Sequence, residues 1–133
     1  MTVVTSWSTA VTLPEGPFPD VTVEAQLRFD TSLPYAVCLV FPPLGGGGEA
    51  QWVFSRDLLD EGRHAPAGHG DVTVAPGRAG RVLVTLCAEN GRAVISIPAD
   101  AVTAFLLDSF ALVPAGTESD HLDIDAVLDR IRS

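Results

Sequence analysis

Apolar and polar residues alternate along most of the first hundred positions of the chain, and the alternation predicts strands. In residues 2–13, Val3, Trp7, Val11 and Leu13 share one parity, and Thr2, Ser6, Ser8 and Thr12 share the other. Residues 21–29 alternate most cleanly: Val21, Val23, Ala25, Leu27 and Phe29 face one way, and Thr22, Glu24, Gln26 and Arg28 the other. Residues 35–41 form a continuous apolar run, which predicts a central strand covered on both faces. Further strands are expected at 51–54, 71–75, 81–87 and 92–97. The last two are joined through Glu89-Asn90-Gly91, because Asn-Gly is a strong hairpin signal.

The period changes at two places. Trp52 and Phe54 share one strand face, and the chain then turns into a short helix. Ser55 is its expected N-cap, Asp57 a first-turn acid favoured by the helix dipole, and Gly62 a left-handed stop. After Pro98, Val102, Leu106, Phe110 and Val113 recur at helical spacing with Phe105 beside them, and Pro114 and Gly116 end that helix. A last short helix is expected from Asp123, with Ile124, Val127, Leu128 and Ile131 on one face. Loops are marked by Pro14 to Pro19, by residues 30–34, and by Pro42-Pro43 with Gly45 to Gly48, read as a hairpin tip. Short connections between strands favour antiparallel pairing. The expected fold is α+β: one domain over residues 1–133, a bent antiparallel sheet of about seven strands and about three packed helices.

Composition narrows the function. Hydrophobic residues make up 47% of the 133, so the chain can bury a core. Seventeen acids against eight bases give a net charge of −9, and every base is arginine. Such a field repels phosphate backbones, and the scattered arginines form no basic patch, so nucleic-acid binding is not expected. The first ten residues lack a secretory signal pattern, and no run reaches the length of a membrane span, so a cytoplasmic protein without membrane insertion is expected. Cys38 and Cys87 lie in apolar strand-like runs and read as buried reduced thiols.

No catalytic set emerges. His64 and His69 share a Gly/Pro-rich loop, but their spacing fits no zinc pattern. Glu118 to Asp125 is rich in carboxylates without the register of a calcium loop, and reads as a solvated linker with helix-capping acids. No nucleophile elbow is present. Gly45 to Gly48 is followed by neither Lys-Ser/Thr nor a helix, which excludes a phosphate loop. Trp52 and Phe54 could stack on bases, but core packing against the long helix is the preferred reading for a chain this acidic. No enzyme activity, metal or cofactor is expected.

Leu27-Arg28-Phe29-Asp30, Pro34-Tyr35-Ala36-Val37, Trp52-Val53-Phe54-Ser55-Arg56-Asp57-Leu58-Leu59 with Glu61-Gly62, Gly68-His69-Gly70-Asp71-Val72 and Pro114-Ala115-Gly116-Thr117-Glu118 follow one another in order. Taken together, they resemble the SsgA-like proteins, regulators of sporulation-specific cell division in filamentous actinobacteria. The resemblance runs from about residue 20 onward, and the Trp-Val-Phe-x-Arg-Asp-Leu-Leu block is its most specific part. It departs at Leu33, where an acidic residue is expected, and at the longer glycine tip. The resemblance implies a bent sheet similar to the whirly-type single-strand-binding proteins and a homo-oligomer, with a trimer as the expected form. It implies action at the division septum, with a division-machinery protein as partner, either the tubulin-like division GTPase or a paralogous SsgA-like protein. Arg28, Asp30, Tyr35, Trp52, Arg56 and Asp57 carry the match and are the candidate interaction residues, with holding the fold as the competing role and the preferred one for Arg56 and Asp57. A single-stranded nucleic-acid binder using the whirly-like sheet is the alternative.

Overall fold

The computed structural model describes residues 2–42, 49–89 and 91–122. Its elements are β1 (Val4–Val11), β2 (Val23–Asp30), β3 (Ala36–Phe41), β4 (Ala50–Ser55), α1 (Arg56–Gly62), β5 (Val72–Pro76), β6 (Arg81–Ala88), β7 (Gly91–Pro98), α2 (Ala99–Leu112) and α3 (Glu118–His121). The expected α+β class and seven antiparallel strands are present. The strands form two sheets, β1-β2-β3-β4 and β5-β6-β7. A bridge joins the sheets: the Thr12 amide donates to the Ser96 carbonyl (3.0 Å) and the Ser96 amide returns the bond (2.9 Å).

One parity of each strand makes the core. Val11, Ala25, Leu27, Phe29, Val37, Leu39 and Phe54 come from the first sheet, and Val74, Val82, Val84, Leu86, Ile95 and Ile97 from the second. Val102, Phe105 and Leu106 of α2 close it, as the helical spacing predicts. Phe110 is only half-buried, and Ser109, which the apolar pattern passed over, is fully buried with its hydroxyl donating to the Leu106 carbonyl. Arg81 links the second sheet to the bridge: its Nε donates to Ser96 Oγ (2.9 Å) and its Nη2 to the Ser96 carbonyl (2.8 Å).

Four expectations need correction. Gly62 does not end α1 in a left-handed conformation; it is the last helical residue, and the glycine is required by β5. A Cβ there would stand 2.3 Å from Cβ of Val74, so the helix approaches the strand closer than any side chain permits. The run at β3 is not covered on both faces: Val37, Leu39, Val40 and Phe41 are buried, but Ala36 and Cys38 are half-buried on the outer side. Cys87 is exposed near the end of β6, where the outer-facing parity leaves the core. Glu118 is not a solvated linker acid; it is buried at the start of α3. The helix expected from Asp123 and the tip at Gly45 to Gly48 lie outside the described residues. The β6–β7 hairpin forms with Ala88 opposite Gly91, whose φ of +150° suits a residue without a side chain.

Candidate interaction surface

Both sheets turn one face inward, and this leaves an outer face on the first sheet. Antiparallel register aligns Ser6, Arg28, Cys38 and Val53 in one row across β1 to β4, and Ser8, Gln26, Val40 and Gln51 in the next. Val4 and Val53 are exposed apolar residues on this face. A shallow groove of about 200 Å³ runs along it, walled by Val4, Arg28, Asp30, Leu33, Cys38 and Val53.

The residues singled out from the sequence fall in three places. Arg28 and Asp30 lie at one end of the outer face, and Tyr35 in the turn before β3. Arg28 is tethered within its own strand, its Nε and Nη2 donating to Gln26 Oε1 at 3.0 and 2.8 Å. Asp30 Oδ1 accepts from the Ser32 amide (2.8 Å) and hydroxyl (2.7 Å), which fixes the β2–β3 turn in the manner of an Asx turn. Tyr35 is exposed at the mouth of that turn.

Trp52 lies on the opposite face. It shares the inner side of β4 with Phe54, as the alternation predicts, but it packs at the seam between the sheets and not against α2. There it helps wall an apolar recess of about 300 Å³ with Val11, Leu13, Phe41, Leu86 and Ile95. Phe54 is buried.

Arg56 and Asp57 separate completely. Asp57 is exposed in the first turn of α1, beside the Ser55 cap, whose Oγ accepts from the Leu58 amide at 3.1 Å. Arg56 is 1% exposed. Its Nη1 donates to the carbonyls of Ser109 (3.1 Å) and Val113 (2.9 Å), groups at the end of α2 that have few intrahelical partners. A cation there also meets the negative end of the helix dipole. The guanidinium sits over the Phe29 and Phe110 rings, 5.0 and 4.2 Å from their centroids. Its Nη2 reaches Glu118 Oε2 at 3.4 Å, and Glu118 Oε1 accepts from the Gly116 amide at 2.6 Å. The Glu118 carboxyl is held below its ordinary value chiefly by its own backbone N–H; the Gly116 amide and Arg56 add to this and burial opposes it. Sequence reasoning missed Glu118 and Ser109. The available signal was an arginine at the first helical position between apolar strands, a cation that needs a buried partner.

His64 and His69 are exposed in the loop between α1 and β5. Among the described residues no three His, Cys, Asp or Glu side chains converge in a way that could hold a metal ion, and no helix is long and apolar enough to cross a membrane.

Residues 23–118 match the family model described as Streptomyces sporulation and cell division protein, SsgA. The chain belongs to this family. It is 46% identical over 112 residues to the sporulation-specific cell division protein SsgB of Streptomyces coelicolor, covering 82% of this chain and 81% of the relative. SsgB of Kineococcus radiotolerans is 43% identical over 121 residues, covering 86% of this chain and 72% of that one. The fold matches a solved structure from work on SsgB mutations and longitudinal cell division during sporulation of Streptomyces coelicolor. Its TM-score is 0.83 at 38% identity, over 92% of this chain and 98% of that one. An SsgA-like sporulation-specific cell division protein from Thermobifida fusca aligns with a TM-score of 0.76 at 30% identity, over 98% and 96% of the two chains. These relatives support a role in sporulation-specific cell division, in a family of division regulators that is not a known enzyme class.

Proposed function

We propose that this chain is a non-enzymatic regulator of sporulation septation that works by protein–protein contact at the division septum, in the cytoplasm. Its partner is a component of the division machinery, the tubulin-like division GTPase or a paralogous SsgA-like protein, and it acts as a homo-oligomer. The observation that carries the reading is the outer face of β1 to β4, which among the described residues is largely open. It offers exposed Val4 and Val53 beside Arg28 on a chain whose relatives are named for sporulation-specific division. Mixed apolar and polar faces of this kind suit association between proteins. The polar groups on it are tied to one another and do not converge on a reacting centre.

A deletion strain of a sporulating actinobacterium, complemented with a fluorescent fusion of this chain, tests the reading. Expected are defective septation in the deletion and septum-localised signal in the complemented strain. Normal septation without the gene would overturn it. Co-purification of the division GTPase with the purified chain, and light scattering on the chain alone, test the partner and the oligomer.

A further inference from the structure

The first sheet ends on β4, and among the described residues that edge is open. The Arg56 amide donates to the Tyr35 carbonyl at 2.8 Å, which fixes the alternation: the backbones of Trp52 and Phe54 turn toward β3, opposite Leu39 and Val37. The N–H and C=O of Gln51 and Val53, and the N–H of Ser55, therefore point off the sheet. Among the described residues they have no backbone partner. The other edges are bridged at single points: just after β1, Thr12 pairs with Ser96 of β7, and Val74 of β5 exchanges both hydrogen bonds with Ala67.

Edge strands are usually blunted by charge or proline. All six residues of β4 are uncharged and none is proline, and Val53 is 50% exposed. Arg56, next after the strand, is buried and Asp60 is paired with Arg63, so the exposed unpaired charges flanking the strand are acidic: Glu49 before it, and Asp57 and Glu61 after it.

We infer that the β4 edge is a docking site for one extended segment of a partner protein, uncharged in its middle and carrying lysine or arginine at both ends. The segment adds as a fifth strand. Its backbone completes the hydrogen bonds of Gln51, Val53 and Ser55, alternate side chains fall beside Trp52 or Val53, and its basic ends meet Glu49 and Asp57. The acidic flanks decide against a second copy of this chain. Two β4 strands paired antiparallel about Val53 would bring Glu49 of one toward the first turn of α1 of the other, where Asp57 stands, and like charges brought together disfavour such a pair. Each copy also carries −9. The inference deepens the proposed role and rests on it for the statement that the partner belongs to the division machinery.

The test uses the full chain and two synthetic peptides, acetyl-Lys-Arg-Val-Thr-Val-Thr-Val-Arg-Lys-amide and the same peptide with glutamate at every basic position. The basic-flanked peptide is expected to bind at least about ten-fold more tightly at low ionic strength and to lose affinity as salt is added. Hydrogen exchange should slow at the amides of Gln51, Val53 and Ser55. Val53→Pro removes one outward N–H without touching the bonds to β3, and should weaken binding about ten-fold or more. The double substitution Glu49→Lys with Asp57→Lys leaves the strand intact and should reverse the preference between the peptides, which keeps the test decisive if the proline variant misfolds. Equal binding of the two peptides, no binding, protection away from β4, or a charge reversal without effect would each overturn the inference. So would a β4-dependent dimer of the chain alone in light scattering. The septation role fails separately, through normal septation in the deletion strain, so the two failures are distinguishable.

Discussion

Nη2 of Arg56 and Oε2 of Glu118 lie 3.4 Å apart, with both side chains shut away from solvent. The pair closes a clasp between the start of α1 and the segment after α2. Removing Arg56 leaves the carbonyl of Val113 and one hydrogen bond at Ser109 without their donor. Buried acceptors abandoned in this way cost about 1–3 kcal/mol each. Arg56→Ala is therefore expected to destabilise the fold by about 3 kcal/mol, read from chemical denaturation with an unchanged slope. Arg56→Lys should recover little, because an ammonium cannot reproduce the planar stack between Phe29 and Phe110.

The same clasp predicts an acid limb. Because the folded Glu118 carboxyl lies below its ordinary value of 4.5, the stability it contributes is present above that value and is lost as pH falls through the lowered one. Melting temperature followed downward from pH 6 should drop more steeply in the native chain than in Glu118→Gln, which carries no titrating group there. Identical acid profiles for the two proteins would remove Glu118 from this account.

Gly62 gives a sharper steric prediction. Gly62→Ala places a methyl 2.3 Å from Cβ of Val74 and 2.9 Å from the Val74 carbonyl oxygen. Overpacking of this kind costs about 1–3 kcal/mol when the surroundings yield, and here one obstacle is backbone. A loss of about 2 kcal/mol or more is expected. Val74→Ala should not rescue it, since the clashing Cβ remains; a rescue would show that α1 shifts freely on β5.

Nucleic-acid binding through the aromatic residues of β4 is expected to fail. Stacking platforms need exposed rings, yet Phe54 is buried and Trp52 lines the recess between the sheets. Short single strands of DNA or RNA should show no gel retardation at low salt and no change in tryptophan fluorescence. Retardation that weakens steeply with salt would reinstate the nucleic-acid reading.

Much of this architecture was legible because burial in a strand repeats every second residue. The inward sets of β1 and β2 follow directly from sequence parity, and the Ser55 cap and most of the α2 stripe follow from equally local rules. The rest depended on contacts that local patterns do not encode. Gly62 satisfies the rule for a helix stop, but the close approach of β5 is what demands it. Arg56 can be read as a structural residue from its position, but its acceptors are carbonyls 53 and 57 positions away, which no local pattern pairs with it. Arg28 and Asp30 are two apart on one strand, so strand parity alone puts them on one face. The outer face and the open edge required the strand order, which no stretch of residues announces.

The spacing between Arg56 and its acceptors has a consequence for biosynthesis. The guanidinium leaves the ribosome well before Ser109, Val113 and Glu118, so the nascent chain holds a cation whose seat does not yet exist. A premature stop between α2 and α3 would leave that seat incomplete, and such products are expected to be cleared by proteolysis rather than to accumulate as slightly shortened regulators.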